Sequence, residues 1–551
     1  MTRFTRREAM LAAGAAAMLR GAAAAPQVEQ AIVDRNDDAV RKLMRAQITD
    51  AQSPWAGSVP DDYLMHSAGA AGGLVETLAA SFACPQSKFH GDSELLDRIR
   101  LAARFLERSQ SPEGNIDLLS TNFNSPPDTG FVVHSVATAA AIGQLYGIGE
   151  LVQNLRPFLV KAGAGLAAGG IHTPNHRWVV SSALAQINSV FPDASYVRRI
   201  GQWLAEGIDI DGDGQFIERS TVTYNAITDR ALCVMAAKLK RPELLAPVRR
   251  NFDAMLYLLH PDGEVVTKVS RRQDQYVRGT MVNYWFPLTY LAIHGGDGRE
   301  SSVLRLLGPE AVRLSALLEY PELAGRLPER SPIPNDYERT FPLAGLARIR
   351  RGSRDATMVL KDNSRFFSLR NGAAVIDAVR FATSFFGKGQ FVPESSSKED
   401  GYVFRQRLEA PYYQPVSQPV TYRNWTEVRA TRAQTQLCRL EQTATVTELK
   451  NGFELRMESR GTAGVPLAIE IAFREGGKLE GCRPAPHAES SWLLERDYGV
   501  YRVGGDAIRF GPGAAPHLLT QLRGAEPKLP GPCVYITGYT PFDHAIRFEW
   551  A

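Results

Sequence analysis

Cysteine is scarce and scattered in this chain: Cys84, Cys233, Cys438, Cys482 and Cys533 are all there is in 551 residues. An odd number without short paired spacings excludes a cysteine-built zinc site and leaves any disulfide pairing unassigned. Long apolar runs are missing too. No stretch of about 20 apolar residues occurs, so no membrane anchor is expected in the mature chain. Charge of one sign is also lacking: 63 Lys and Arg face 59 Asp and Glu, a net +4 that is not gathered into basic blocks with interleaved aromatics. That argues against a nucleic-acid partner. Phosphate-binding and dinucleotide fingerprints are absent as well, because Gly69-Ala70-Ala71-Gly72-Gly73 has no strand before it and reads as close helix packing. What remains, 44% hydrophobic and 22% charged, is globular. At this length it needs two large domains, or one large toroidal domain with an appendage.

The first 25 residues do not read as fold. Arg6-Arg7 precedes a modestly apolar Ala/Met/Leu stretch and then Ala22-Ala23-Ala24-Ala25-Pro26, the charged, apolar and small-residue order of an export signal. The paired arginines resemble a twin-arginine signal. Cleavage near Ala25 and a periplasmic or secreted protein are therefore expected.

From residue 26 to about 335, apolar-periodic helices alternate with Gly/Pro/Asp-rich turns. The polar run around Pro328, Pro332 and Pro334 cannot continue a helix and marks the boundary. From 345 to 551, short alternating runs such as Thr357–Leu360, Phe453–Met457 and Leu467–Phe473 predict an antiparallel β-sandwich, closed by a last strand over Ala545–Trp550. The helical half repeats. Polar or aromatic residues recur where apolar helices begin: Asp128, then Asn175-His176-Arg177-Trp178, then Tyr224-Asn225 with Asp229-Arg230, then Asn283-Tyr284-Trp285. Starts at 128, 175, 225 and 283 are 47, 50 and 58 residues apart, one helical hairpin per step. This predicts an N-terminal (α/α) toroid whose inner helices point the same way and gather their first turns around one cavity. Tyr63-Leu64-Met65-His66 is an earlier, less regular member.

The most informative step is Thr173-Pro174-Asn175-His176-Arg177-Trp178. Thr173 suits an N-cap and Pro174 a first helical position, which puts an amide, an imidazole and a guanidinium in the first turn of a buried helix. A carboxylate arriving there meets donors and the positive end of the helix dipole. The alternative is that Asn175 and His176 only finish the cap. His172 is a spare imidazole beside them, and His134, one to two turns into its helix, reads as structural. Residues Asp262 to Tyr276 form a hairpin and loop before the next inner helix, with Arg271, Arg272 and Tyr276 placed to close over a ligand or to form a solvated face. Asp209, Asp211 and Asp213 imitate the first half of a calcium loop. The twelfth position is Ser220 rather than Glu and Glu218 falls at the tenth, so a tight turn leading to Tyr224 is the better reading and no metal is expected.

A toroid followed by a β-sandwich, with Asn175-His176 at an inner-helix tip and Tyr224 one step on, resembles the heparinase II/III-like and alginate-lyase-like polysaccharide lyases. The resemblance implies β-elimination next to a uronic acid, with Asn175 neutralising the carboxylate, His176 as general base, and Tyr224 as acid or second proton carrier. Arg177 has no firm counterpart. It either joins Asn175 on the uronate or pairs with Glu218 or Asp229. The expected partner is an acidic glycan, with Arg177, His172, Trp178, Asn225, Asp229, Arg230, Arg271, Arg272, Tyr276, Tyr284, Asp128 and Glu218 as candidate binding residues; homo-oligomerisation stays open. Two other readings compete. A glycoside hydrolase, glucuronidase-like, would use two of Asp128, Glu218, Asp229 and Asp274 about 5 to 10 Å apart. A non-catalytic glycan-binding protein would stack sugars on Trp178, Tyr276 and Trp285.

Overall fold

In the helical part, burial alternates from one helix to the next, and that alternation builds the ring. The computed structural model describes residues 24–421, 424–486 and 488–551. The expected leader over 1–25 lies outside them except for its last two residues. Helix α1 (Gln30–Ala46) buries Ile32, Val33, Asp37 and Val40, and α3 (Ser93–Arg108) buries Leu95, Ile99, Ala102 and Leu106 among others, the spacing of a single apolar stripe. Helix α5 (Gly149–Ala168) and α9 (Leu245–Met255) are likewise buried on one side, and α7 (Ala194–Ala205) buries only Tyr196 and Ile200. Between them, α2 (Ala68–Ala83), α4 (Pro126–Leu145), α6 (His176–Val190), α8 (Tyr224–Leu239) and α10 (Trp285–Ile293) are buried on nearly every side.

These enclosed helices are neighbours in sequence order: α2 packs on α4, α4 on α6, α6 on α8 and α8 on α10. Each pair is joined through an outer helix that runs back, so the inner helices share one direction and their N-termini face one end. Small residues permit the close approach. A Cβ at Gly130 would stand 3.1 Å from Val179, and one at Gly72 would stand 3.2 Å from Val132, which agrees with the packing role expected for the Gly69–Gly73 run. Deep in the ring, polar side chains satisfy one another. His134 Nδ1–H donates to Gln186 and its Nε2 accepts from Ser182, Thr138 donates to Glu319 (2.6 Å), and Lys238 pairs with Glu319 (2.8 Å). Burial, reinforced by Arg230, pushes the His134 imidazole down to about 3, so it is neutral and structural.

The described residues form two compact units: the first runs to Leu256 and resumes over Gly263–Ile333, and the second comprises Tyr257–Asp262 and Pro334–Ala551. The second is the β-sandwich. Among the described residues, one sheet has nine strands, with Ala374–Thr383, Pro466–Phe473 and Cys533–Tyr539 adjacent near its middle. The other has eight, with Phe542–Trp550 paired between Gly452–Gly461 and Asp506–Gly511. The last strand is thus built into a sheet, as its sequence suggested. Alternate residues from both sheets, including Phe367, Ile376, Ile469, Leu455, Met457 and Phe548, fill a common core. The segment Tyr257–Asp262 is held here by a fully buried Arg348, which donates to the Leu259 carbonyl (3.2 Å) and to Asp355 (2.8 Å); Asp355 also pairs with His260 (2.9 Å). All five cysteines are free thiols. No helix among the described residues is long and apolar enough to cross a membrane.

Candidate functional site

The first turn of α6 differs from the expected cap. The helix begins at His176, the cap position is Asn175, and no side chain caps it. Thr173 instead accepts from Asn175 Nδ2 (3.2 Å), because the chain passes through a tight turn before the helix, with the His176 N–H donating to the Thr173 carbonyl. Asn175 is therefore not spent on capping. Its Nδ2 also donates to Glu218 Oε2 at 2.8 Å, and its Oδ1 is buried without a partner.

Glu218 comes from the Asp209–Arg219 turn that precedes α8. Burial pushes its carboxyl up, while the Asn175 hydrogen bond and then Arg272 pull it back only in part, and Oε1 has no partner. His176 is 6% exposed, with the His172 ring edge-on at 4.6 Å and Phe131 edge-on at 6.3 Å. Burial first, then His172, pushes its imidazole down to about 4 against the opposing charge of Asp128, and Nδ1 is buried and unpartnered. At neutral pH the ring is uncharged. It is free to accept a proton.

A loop over Gly263–Thr280 covers this mouth. It is tied by an isolated bridge between Glu264 and Thr280 rather than by hairpin strands, and Asp262, expected at its start, belongs to the second unit, where it pairs with Arg370 (2.9 Å). Its anchor is Asp274, which accepts from Ser220 (2.9 Å), from the Val222 N–H (3.1 Å) and from Ser270. The loop lays Arg272 over the Tyr224 ring, 4.8 Å from its centroid, and Gln273 Nε2 donates to the Tyr224 hydroxyl at 3.2 Å. The Arg272 Nε is buried without a partner. Asn175, His176, Glu218, Tyr224 and Arg272 thus converge under the loop. Asp274→Ala removes three hydrogen bonds from the loop anchor; we expect faster proteolysis within 263–280 and a kcat/KM reduced on the order of tenfold to a hundredfold, measured on the folded variant.

Other candidates are placed elsewhere. Arg177 joins neither Asn175 nor Glu218 nor Asp229. It pairs with Glu206 and Asp209 at 3.0 Å each, because the end of α7 brings those carboxylates beside it. Trp178 cannot serve as a sugar platform, since its ring is fully buried and its Nε1 donates to Asp209 (2.8 Å). Trp285 is 8% exposed and also lies in the core. Tyr284 is buried with its hydroxyl donating to the Thr221 carbonyl (2.8 Å), and Asn225 is buried with its amide donating to Gln215 (3.0 Å). Asp229, a turn deeper, is 1% exposed, and burial holds its carboxyl well above the usual range. Arg230 lies over Phe286 at 5.7 Å. Asp128 accepts from Ser125 and from Asn122 (2.9 Å) at the start of α4. The Arg271 N–H donates to the Glu218 carbonyl and its exposed side chain reaches the Ile217 carbonyl (3.5 Å), and Tyr276 is also exposed. The carboxylates of the calcium-like turn have other work: Asp209 holds Arg177 and Trp178, and Asp211 accepts from the Asp213 and Gln215 N–H groups. Sequence reading passed over Gln273 because an amide on a loop carries no period, although its place beside Arg272 was a signal.

Known structures share this pair of folds. A xanthan lyase from Paenibacillus aligns over 94% of this chain with TM-score 0.59 and 9% identity, and the chain spans 57% of that enzyme's length. The chondroitin AC lyase of Streptomyces coelicolor A3, solved with chondroitin sulphate, aligns over 97% of this chain and 81% of its own with TM-score 0.55 and 14% identity. A heparan sulfate lyase HepC mutant from Pedobacter heparinus gives TM-score 0.52 and 10% identity over 94% and 89% of the two chains. The fold is that of several polysaccharide lyases. At these identities the likeness is one of architecture, an (α/α) toroid ahead of an antiparallel β-sandwich, and singles out no one family. No family model and no curated protein matches the sequence.

Proposed function

We propose that the chain cleaves a glycan beside a uronic acid by β-elimination, with the cluster under the Gly263–Thr280 loop as its active site. The observation that carries this reading is the placing of a neutral, buried imidazole, His176, beside the Asn175 amide and the Arg272 guanidinium at one helix mouth. A uronate has a weakly acidic C5–H. A hydrogen bond from Asn175 Nδ2, exchanged from its long Thr173 contact onto the substrate carboxylate, together with the nearby Arg272 guanidinium, stabilises the negative charge that develops as that proton leaves. His176 takes the proton, and the carbon–hydrogen electrons form the C4–C5 double bond as the C4–O bond breaks. Tyr224, its ring held under Arg272, protonates the departing oxygen. The bound carboxylate also raises the affinity of His176 for the proton it receives, since an adjacent negative charge favours imidazolium.

Hydrolysis by a carboxylate pair has less support. Asp274 is saturated with donors and Asp229 is enclosed a turn below the mouth, which leaves Glu218 and a hydrogen-bonded Asp128. A purely binding role does not use the imidazole, and two of its proposed platforms, Trp178 and Trp285, are buried. Cleavage in heavy-oxygen water separates the chemistries. Elimination leaves no solvent oxygen at the broken bond, whereas one incorporated oxygen per cut would overturn the proposal.

A further inference from the structure

A second cavity, of about 330 Å³, opens at the start of α2, lined by Trp55, His66, Ser67, Arg108, Asp117 and Leu119 among others. Trp55 is 47% exposed, unlike the tryptophans of the inner helices. It is nevertheless fixed. Its carbonyl accepts from the Ser58 hydroxyl (2.7 Å), its N–H donates to Ser53 (3.2 Å), and the neighbouring Ala56 carbonyl accepts from Arg108 (2.7 Å). Ser58 in turn accepts from His66 Nδ1 (2.7 Å), which holds the imidazole parallel to the indole, 5.0 Å away with 7° between the planes. An exposed indole held this firmly is a preformed flat surface, so little conformational entropy is lost when something stacks on it.

From these contacts we infer that Trp55 and His66 form a subsite for an uncharged pyranose ring of the same glycan chain, several sugar units from the bond cleaved at His176. The inference rests on the elimination site proposed above. The axial C–H face of a pyranose packs on an aromatic face, and its rim of hydroxyls needs both donors and acceptors. Arg108 and Asp117 supply one of each at the cavity edge. Their opposite charges give no preference for a carboxylate, which separates this cavity from the mouth of α6. The two lie along one track. The hairpin carrying Asp117 packs on both α2 and α4, Asn122 of that hairpin bonds Asp128 at the start of α4, and Phe131 of α4 contacts His176. Two steps between adjacent inner helices, each about 8–10 Å, separate the cavity from His176, a span that only a chain of several sugars can bridge.

The test uses the full-length protein carrying His176→Ala, with and without Trp55→Ala, and compares binding of polymeric chondroitin sulfate, heparan sulfate and xanthan with binding of short oligosaccharides from the same polymers. For any polymer bound, Trp55→Ala should weaken affinity roughly three- to tenfold, with short oligosaccharides unaffected and Trp55→Phe recovering part of the loss. Equal weakening of long and short ligands, no weakening at all, or no binding to any of the three polymers overturns the inference; unchanged thermal unfolding excludes misfolding as the cause. Elimination is scored separately with His176 intact. Unsaturated products with a KM for polymer that ignores Trp55 sink the subsite alone, and Trp55-dependent binding without unsaturated products sinks the elimination reading alone.

Discussion

Replacing His176 by alanine should lower kcat by about a hundred- to ten-thousandfold, the usual worth of a positioned general base, while leaving thermal unfolding close to that of the parent. The side chain is buried, but its Nδ1 has no hydrogen-bond partner, so truncation removes packing and not a network. The pH profile carries a sharper expectation. Burial and His172 hold the free imidazole down at about 4, so the acid limb of kcat/KM should fall near pH 4 rather than near the ordinary histidine value of about 6.5. Protonation below that limb removes the base. With substrate bound, the uronate charge should move the limb of kcat upward, and a kcat limb lying below that of kcat/KM would contradict the assigned role.

The second large effect lies in the sandwich. Asp355→Ala leaves the guanidinium of Arg348, 0% exposed, without its carboxylate, and removes the acceptor of His260. Breaking a buried ion pair from one side costs about 3–5 kcal/mol. For a unit of this size that corresponds to a fall on the order of 10 °C in its calorimetric transition. Asp355→Asn, which keeps an acceptor, should fall between. Acid should act in the same direction. Burial would raise the Asp355 carboxyl, but Arg348 and then His260 more than offset it and hold it below the ordinary carboxylate range, so its contribution is present above about pH 4 and lost as pH falls below. Burial pushes His260 down to about 3, so between about pH 6.5 and 3 the unfolded chain binds a proton that the folded one refuses, and stability declines across that window as well. A transition temperature that is flat from pH 7 to pH 4 would contradict this.

The fold was largely legible in the sequence because it rests on periodicity. One-sided stripes such as Leu95, Ile99 and Ala102 belong to outer helices, and all-round apolar runs such as Val179 to Ala185 belong to inner ones. The recurrence of polar residues at inner-helix starts pointed to the end of the ring where Asn175, His176, Glu218, Tyr224 and Arg272 converge. What escaped depends on partners that no period encodes. Arg177 reads equally as a substrate clamp or as a salt bridge to Glu218 or Asp229, and the structure gives a salt bridge with other partners, because the end of α7 delivers Glu206 and Asp209 to it. Thr173 looked like a cap, but the turn before α6 redirects its hydroxyl to Asn175. Trp178 and Tyr284 start apolar helices and are buried there, whereas Trp55, in an aperiodic turn, stays in solvent. Tyr257–Asp262 follows a helix and contains Leu258 and Leu259, and only the carbonyl bonds to Arg348 reveal that it packs with the strands.

The central claim is elimination, and its most direct measurement is the ultraviolet absorbance of a conjugated C4–C5 unsaturated uronate while the purified protein is incubated with chondroitin sulfate, heparan sulfate, xanthan and alginate. A steady rise on at least one of these glycans, abolished by His176→Ala and strongly reduced by Tyr224→Phe, is the expected result. Chain cleavage with no rise in that absorbance, or a rise indifferent to His176, would contradict it.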